Sequence, residues 1–241
     1  KGRMIYSFLE ENRLLTRIAG KVVVEVGCGA GGVLAYFKEC GFEVTGCDFV
    51  PKHLEYGKEI RGLNLQYGTL DVVKAELEKS DEPAGLVIYE QVFEHLPNPK
   101  AELARVRQLI PEDSLLYVGV PGVRNIEAHY GADFLRFLQL PHLMHFDLTS
   151  LSAMLGDAGY SCIAGDETAR AVFEYSQPSK VSLSGHYSSS MAFLERLEKR
   201  RWRHVLRNAV KESPRIAGHK LKSRIERSRM PISLKKFLMH V

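Results

Sequence analysis

The chain has no apolar run approaching the roughly 20 residues that a membrane-spanning helix requires. Its first segment, KGRMIYSFLEENRLL, also has no secretory hydrophobic core or cleavage site. Both absences lead to the expectation of a soluble, cytoplasmic protein. Cysteine is scarce: Cys28, Cys40, Cys47 and Cys162 form no C-x-x-C pair and have no histidine at zinc-finger spacing. A disulfide framework is therefore not expected, and free thiols in a reducing compartment are. Negative charge is scarce at one end only. Residues 195–241 hold 15 Lys and Arg against 4 Asp and Glu, a balance of +11, which leaves −7 on the rest of a chain whose net charge is +4. An acidic body carrying a basic tail points to contact with an anionic surface or to a second role.

What is present is an alternation of apolar runs with helical patterns. Residues 4–18 read as an amphipathic helix. KVVVEVG, FEVTGCDF, LNLQYG, GLVIYE and SLLYVGVPG read as five strands. Between them lie helices over GVLAYFKECG, PKHLEYGKEIRG, residues 71–80 and NPKAELARVRQLI, with Pro51 in a first turn and Gly62 past an end. Such alternation implies βαβ units and a parallel sheet covered on both faces. LTSLSAMLGDAGY follows as a helix with Thr149 or Ser150 as its cap. SCIAGDET and ARAVFEYS then read as an antiparallel hairpin. The expected organisation is one Rossmann-like, doubly wound, seven-stranded α/β domain over 1–176, with an insertion or lid at 121–148. A serine-rich linker at 177–190 and a basic helical extension at 191–241 complete it.

In sheets of this kind ligands bind beyond the carboxyl ends of the strands. There the first strand runs into VVVEVGCGAGG, whose Gly27, Gly29 and Gly32 fit the G-x-G-x-x-G of a dinucleotide turn. Bare backbone at a helix N-terminus would suit a pyrophosphate or a carboxylate. Glu25, two residues before the first glycine, separates the two. A carboxylate about 4 Å from a phosphate costs on the order of 4 kcal/mol at an effective dielectric near 20, whereas beside a cationic ligand the same charge is favourable. S-adenosylmethionine, with its ammonium, carboxylate and sulfonium, fits both halves of the motif.

These residues resemble the first motif of class I S-adenosylmethionine-dependent methyltransferases, E/D-x-G-x-G-x-G, with Glu25, Gly27, Gly29 and Gly31 in its positions. VIYEQVFEHLPNP resembles that family's segment after the fourth strand, and MHFDLTSLSAMLGDAGY resembles a later segment of members that methylate quinone precursors, sugars and other small metabolites. The resemblance covers residues 20–175. It implies that Asp48 holds the ribose diol, for which a carboxylate offers two acceptor oxygens, that Glu90 and Gln91 lie by the amino-acid end of the cofactor, and that His95, in the Glu94-His95-Leu96 opening of the next helix region, is a further cofactor-binding residue. Cys28, Phe49, Thr69 and Leu70 complete the implied cofactor shell. The chain departs from the family after the third strand: Gly68 is followed by Thr69 and not by an acid, so Thr69, a backbone group or Asp71 would read the adenine.

The insertion PGVRNIEAHYGADFLRFLQLPHLMHFD is the expected acceptor lid, with FLRFLQL also readable as a helix. Methyl transfer to an alcohol or phenol needs a base, and His142 or His145 fits that role. No metal is expected, and no compact His/Asp/Glu group at metal spacing is visible along the sequence. For the basic tail three readings stand. It packs on its own body or on a second subunit, it lies peripherally on an anionic membrane, or it binds nucleic acid. The last is the weakest, since no N/D-P-P-Y/F motif and no RNA-binding module is present. An NAD-dependent oxidoreductase and a non-catalytic module of the same fold are the remaining alternatives.

Overall fold

The structure is a computed structural model that describes residues 1–79 and 82–211. The expected basic segment beyond 211 lies outside the described residues. Seven strands form one sheet in the order β3-β2-β1-β4-β5-β7-β6. They are β1 (Val22–Val26), β2 (Val44–Asp48), β3 (Asn64–Tyr67), β4 (Ala84–Glu90), β5 (Leu115–Gly119), β6 (Tyr160–Asp166) and β7 (Arg170–Tyr175). The first five run parallel, while β7 pairs antiparallel with both β5 and β6. The doubly wound α/β architecture expected from the alternation is the one observed.

The apolar runs explain the central strands. Val22 and Val24 face one core layer with Val87, Tyr89, Leu116 and Phe173, and Val23 faces the other with Leu34, Phe37, Leu86 and Ile88. A strand buried on both faces reads as a continuous β-branched run, as VVVEV does. The chain order reverses between β1 and β4, so the crevice of this fold opens beyond the carboxyl ends of those two strands.

Several boundaries differ from expectation for local reasons. The opening helix is two: α1 (Gly2–Glu11) and α2 (Leu15–Ile18), separated where Arg13 adopts φ +60°. Helix α3 (Gly32–Glu39) follows β1, α4 (Pro51–Arg61) follows β2, and α5 is Leu70–Leu77, a residue earlier and shorter than expected. Helix α6 (Pro99–Leu109) follows β4. The cap of α8 (Leu148–Asp157) is Asp147 and not Thr149 or Ser150. Asp147 accepts the Ser150 N–H at 2.9 Å and its own N–H donates to the Ser150 hydroxyl, a reciprocal capping box. FLRFLQL contributes only a 3-10 turn at Phe134–Arg136.

The described residues divide into two compact units, Lys1–Asn125 with Leu140–Leu183, and Ile126–Gln139 with the chain from Ser184 to Lys211. The second contains α7 (Ile126–Tyr130) and the long α9 (His186–Lys211), which begins inside the stretch expected to be a linker. Within it Arg200 pairs with Glu127 at 2.7 Å, and Gly131 at φ +57° lets the His204 ring approach the backbone. Phe193, Leu197 and Val205 of α9 are buried at helical spacing. No described helix is long and apolar enough to cross a membrane.

Candidate active site

The turn after β1 is built from three glycines in the left-handed region, Gly27 (φ +73°), Gly29 (φ +53°) and Gly31 (φ +69°). They are glycines for different reasons. A Cβ on Gly27 would lie 2.5 Å from Val92, and one on Gly31 would lie 2.3 Å from Leu63 Cδ1. One on Gly29 would meet nothing within 4 Å, so this is where bare backbone faces open space. The N–H groups of Gly27 and Cys28 donate to the Cys47 carbonyl, which ties the turn to the end of β2. Cys28 is itself buried, and burial above all, then Glu25, pushes its thiol up. A buried, raised thiol of this kind is disfavoured as a thiolate, and the Cys28 backbone is held within the turn, its carbonyl accepting the Gly31 N–H at 2.8 Å.

Asp48 closes β2 beside this turn. Its Oδ2 accepts the Gly29 N–H and its Oδ1 the Val50 N–H, both at 2.8 Å. Each oxygen keeps a lone pair, so the oriented carboxylate still offers two acceptors to a vicinal diol. Phe49, 62% exposed, meets Tyr67 edge to face at 5.9 Å, an apolar rim at the ends of β2 and β3. Thr69 donates to Asp71 at 2.7 Å, and Arg105 also pairs with Asp71. The Thr69 hydrogen bond first, and Arg105 after it, hold the Asp71 carboxyl low, and both partners engage the same oxygen, Oδ2. Leu70 is wholly buried and packs in the core, which removes its side chain from any ligand surface.

Glu25 departs from the sequence reading. The expectation is a charge displayed beside the ligand, yet the acid is 4% exposed, with Oε2 buried and without a hydrogen-bond partner. Burial first, then the Glu90 carboxylate, push its carboxyl well above the usual range, with Lys1 pulling the other way. A buried, unsatisfied carboxyl of this kind is costly until a cation or donor arrives. Glu25, Gly29 and Asp48 together fit a cationic nucleoside: an orphaned acceptor, an open cradle and an oriented diol acceptor.

Beyond the ends of β4 and β5 lies a cavity of about 160 Å³ lined by Lys1, Glu90, Gln91, Tyr117, Gly119 and Arg170 among others. Glu90 pairs with Lys1 at 3.1 Å and lies 3.5 Å from the Tyr117 hydroxyl. A Cβ on Gly119 would lie 2.0 Å from Glu90 Oε2, so this strand-end glycine makes room for the acid. Gln91 adopts φ +61° while donating its N–H to the Gly119 carbonyl, a strained backbone for a non-glycine residue. Sequence reasoning misses Tyr117, Gly119 and Arg170. Only the glycine closing an apolar strand could have signalled them.

The three histidines gather in one place. Rings of His95 and His142 lie 4.9 Å apart, and those of His142 and His145 5.9 Å. Burial lowers the pKa of His142, with His95 adding to it. Burial also lowers that of His145, with His142 adding. Both shifts favour the neutral imidazole, the form whose unprotonated nitrogen accepts a proton. A compact group that is not visible along the sequence does form in the fold: ligand atoms of Glu94, His95 and His142 all lie within 4.8 Å of one another. Spacing along the chain hides this, since His142 joins from 47 residues away: the Glu94 carbonyl accepts the N–H groups of Leu143 and Met144 and draws that segment in.

Residues 6–164 match the family described as a methyltransferase domain. A ubiquinone biosynthesis O-methyltransferase of Glaesserella parasuis is 30% identical over 105 residues, 41% of this chain and 44% of that protein. A (S)-tetrahydroprotoberberine N-methyltransferase of Eschscholzia californica is 28% identical over 41% of this chain and 29% of its own length. The chain thus spans about half, or less, of the curated relatives it matches. Among solved structures, magnesium protoporphyrin IX methyltransferase from Synechocystis, with bound SAH, superposes with TM-score 0.51 at 16% identity, over 73% of this chain and 83% of that one. A SAM-dependent methyltransferase from Archaeoglobus fulgidus gives TM-score 0.50 at 17% identity, over 66% and 69%. The chain belongs to the methyltransferase-domain family and shares the fold of these S-adenosylmethionine-dependent methyltransferase structures.

Proposed function

We propose that this protein transfers the methyl group of S-adenosylmethionine to a hydroxyl oxygen of a small polar acceptor. The observation that carries the reading is the juxtaposition of Gly29, open to space at φ +53°, with the oriented Asp48 carboxylate and the orphaned Glu25 oxygen. The cofactor supplies an activated methyl on a sulfonium. Asp48 would hold its ribose, Phe49 and the Thr69 region its adenine edge, and Glu25 with Glu90, Gln91 and His95 its charged amino-acid end. Leu70 would take part through its backbone alone. Several relatives are named O-methyltransferases, which favours oxygen over nitrogen as the atom methylated.

The chain's own share of the chemistry is positioning and proton removal. Holding the acceptor oxygen in line with the methyl carbon lowers the barrier by pre-paid orientation, and His142 or His145 would take the hydroxyl proton as the new bond forms. The +11 balance of residues 195–241 extends the reading to a sugar or lipid-linked acceptor at an anionic membrane. Calorimetry with S-adenosylmethionine and its demethylated product tests the cofactor half, with Asp48→Ala expected to abolish micromolar binding. Transfer of labelled methyl to a panel of small phenols, sugars and lipid-linked intermediates tests the acceptor half. Label found only on nucleic acid or on nitrogen would overturn it.

A further inference from the structure

We propose that Glu94, His95 and His142 form a binding site for a divalent transition metal of the zinc class, with one coordination position left open. Two imidazole nitrogens and one carboxylate are the ligand set of open zinc sites, and the nitrogen content disfavours magnesium and calcium, which prefer oxygen.

The geometry is already close to what a metal needs. The ligand atoms lie within 4.8 Å of one another, and His95 Nε2 is 3.7 Å from Glu94 Oε1. Tetrahedral bonds of about 2.0–2.2 Å place ligand atoms about 3.3–3.6 Å apart, so modest side-chain rotation closes the set. His95 is already turned the right way, with its Nδ1 2.9 Å from the Pro141 carbonyl, which can only accept. The proton therefore sits on Nδ1 and the Nε2 lone pair faces Glu94, the outer-shell arrangement that fixes the tautomer of a metal-bound histidine.

The second line of argument comes from unsatisfied groups. Glu94 is 1% exposed, and neither carboxylate oxygen has a hydrogen-bond partner. His142 Nδ1 is likewise buried without one. A carboxyl with two orphaned oxygens beside an imidazole with an orphaned nitrogen is costly for a fold that gains nothing there. A cation supplies what all three lack. The open position would take water or an oxygen of the acceptor. His142 is then a ligand, which leaves His145 as the base of the methyl transfer. The metal site does not depend on that transfer, because neither the glycine turn nor Asp48 contributes a ligand to it.

The test uses the full, untagged chain after chelation, with zinc titrated by calorimetry and cobalt(II) as the spectroscopic probe. One equivalent of zinc, and visible cobalt bands of a four-coordinate nitrogen–oxygen site, are expected. His142→Ala and His95→Ala should each weaken zinc binding at least about tenfold, and S-adenosylmethionine binding by His142→Ala, which removes no cofactor contact, shows that this variant is folded. His129→Ala should change neither. Substoichiometric binding, or zinc affinity untouched by His142→Ala, overturns the site. Zinc binding by a chain that fails to bind S-adenosylmethionine would leave the metal site standing and remove the proposed methyl transfer instead.

Discussion

Replacing Gly29 and Gly31 by alanine, one at a time, separates ligand contact from packing within a single turn. Gly29 sits at φ +53° and Gly31 at φ +69°, and an L-residue in that region costs roughly 1–2 kcal/mol. For Gly29→Ala this is the main stability effect, because the new methyl meets nothing within 4 Å. At about 2–4 °C per kcal/mol for a chain of this size, the melting temperature falls by about 2–8 °C. For Gly31→Ala the methyl would lie 2.3 Å from Leu63 Cδ1. Overpacking adds about 1–3 kcal/mol, so the total of about 2–5 kcal/mol lowers melting by about 4–20 °C. Affinity should follow the opposite order. The Gly29→Ala methyl occupies the cradle and disturbs the amide that holds Asp48, so S-adenosylmethionine binding should weaken about tenfold or more. Gly31→Ala, assayed well below its melting temperature, should bind within a few-fold of the parent. Scanning calorimetry and titration calorimetry read the two effects. Parental affinity in Gly29→Ala would refute the assignment of that residue to the ligand face.

Other outcomes follow from the same site. Gln91→Gly should raise the melting temperature by about 2–4 °C, since about 1 kcal/mol of backbone strain at φ +61° is relieved, and should weaken cofactor binding through loss of the side chain. Glu25 has its carboxyl raised by burial first and by Glu90 second, and a bound cation would lower it. The complex then carries fewer protons, so affinity should rise with pH between the two values, and protons should be released on binding in buffers of different ionisation heat. By the same linkage, ionising Glu25 destabilises the cofactor-free fold as pH rises, so Glu25→Gln should melt higher at neutral pH yet bind S-adenosylmethionine more weakly. Asp147→Ala removes the capping box of α8 and the ion-pair partner of Arg124, and should cost about 1–2 kcal/mol with cofactor affinity unchanged. Urea unfolding at fixed pH would measure it.

The alternation of apolar runs makes the sheet legible in the sequence, because a strand buried on both faces is almost wholly apolar, as GLVIY is throughout and VVVEV is apart from Glu25. The glycine turn is legible as a turn. The separate causes of its glycines are not, since the neighbours that forbid a Cβ, Val92 and Leu63, come from other elements. Asp48 can be found because a strand-end acid has few structural reasons to be there. The burial of Glu25 cannot, because its environment is set by α3 and by Glu90 across the sheet. The Glu94–His95–His142 group is invisible for the same reason: backbone hydrogen bonds from Leu143 and Met144 to the Glu94 carbonyl create a neighbourhood that spacing does not encode. The break at Arg13 and the cap at Asp147 are decided by one residue's backbone angle and one side chain's reach, which are finer than periodicity resolves.

The central claim is that the crevice beyond β1 selects a positively charged nucleoside over a doubly phosphorylated one. Titrating the full chain with S-adenosylmethionine and with NAD under the same conditions tests it most directly. Saturable micromolar binding of the sulfonium compound with no heat from the dinucleotide is the predicted result. Dinucleotide binding that S-adenosylmethionine fails to displace would contradict it.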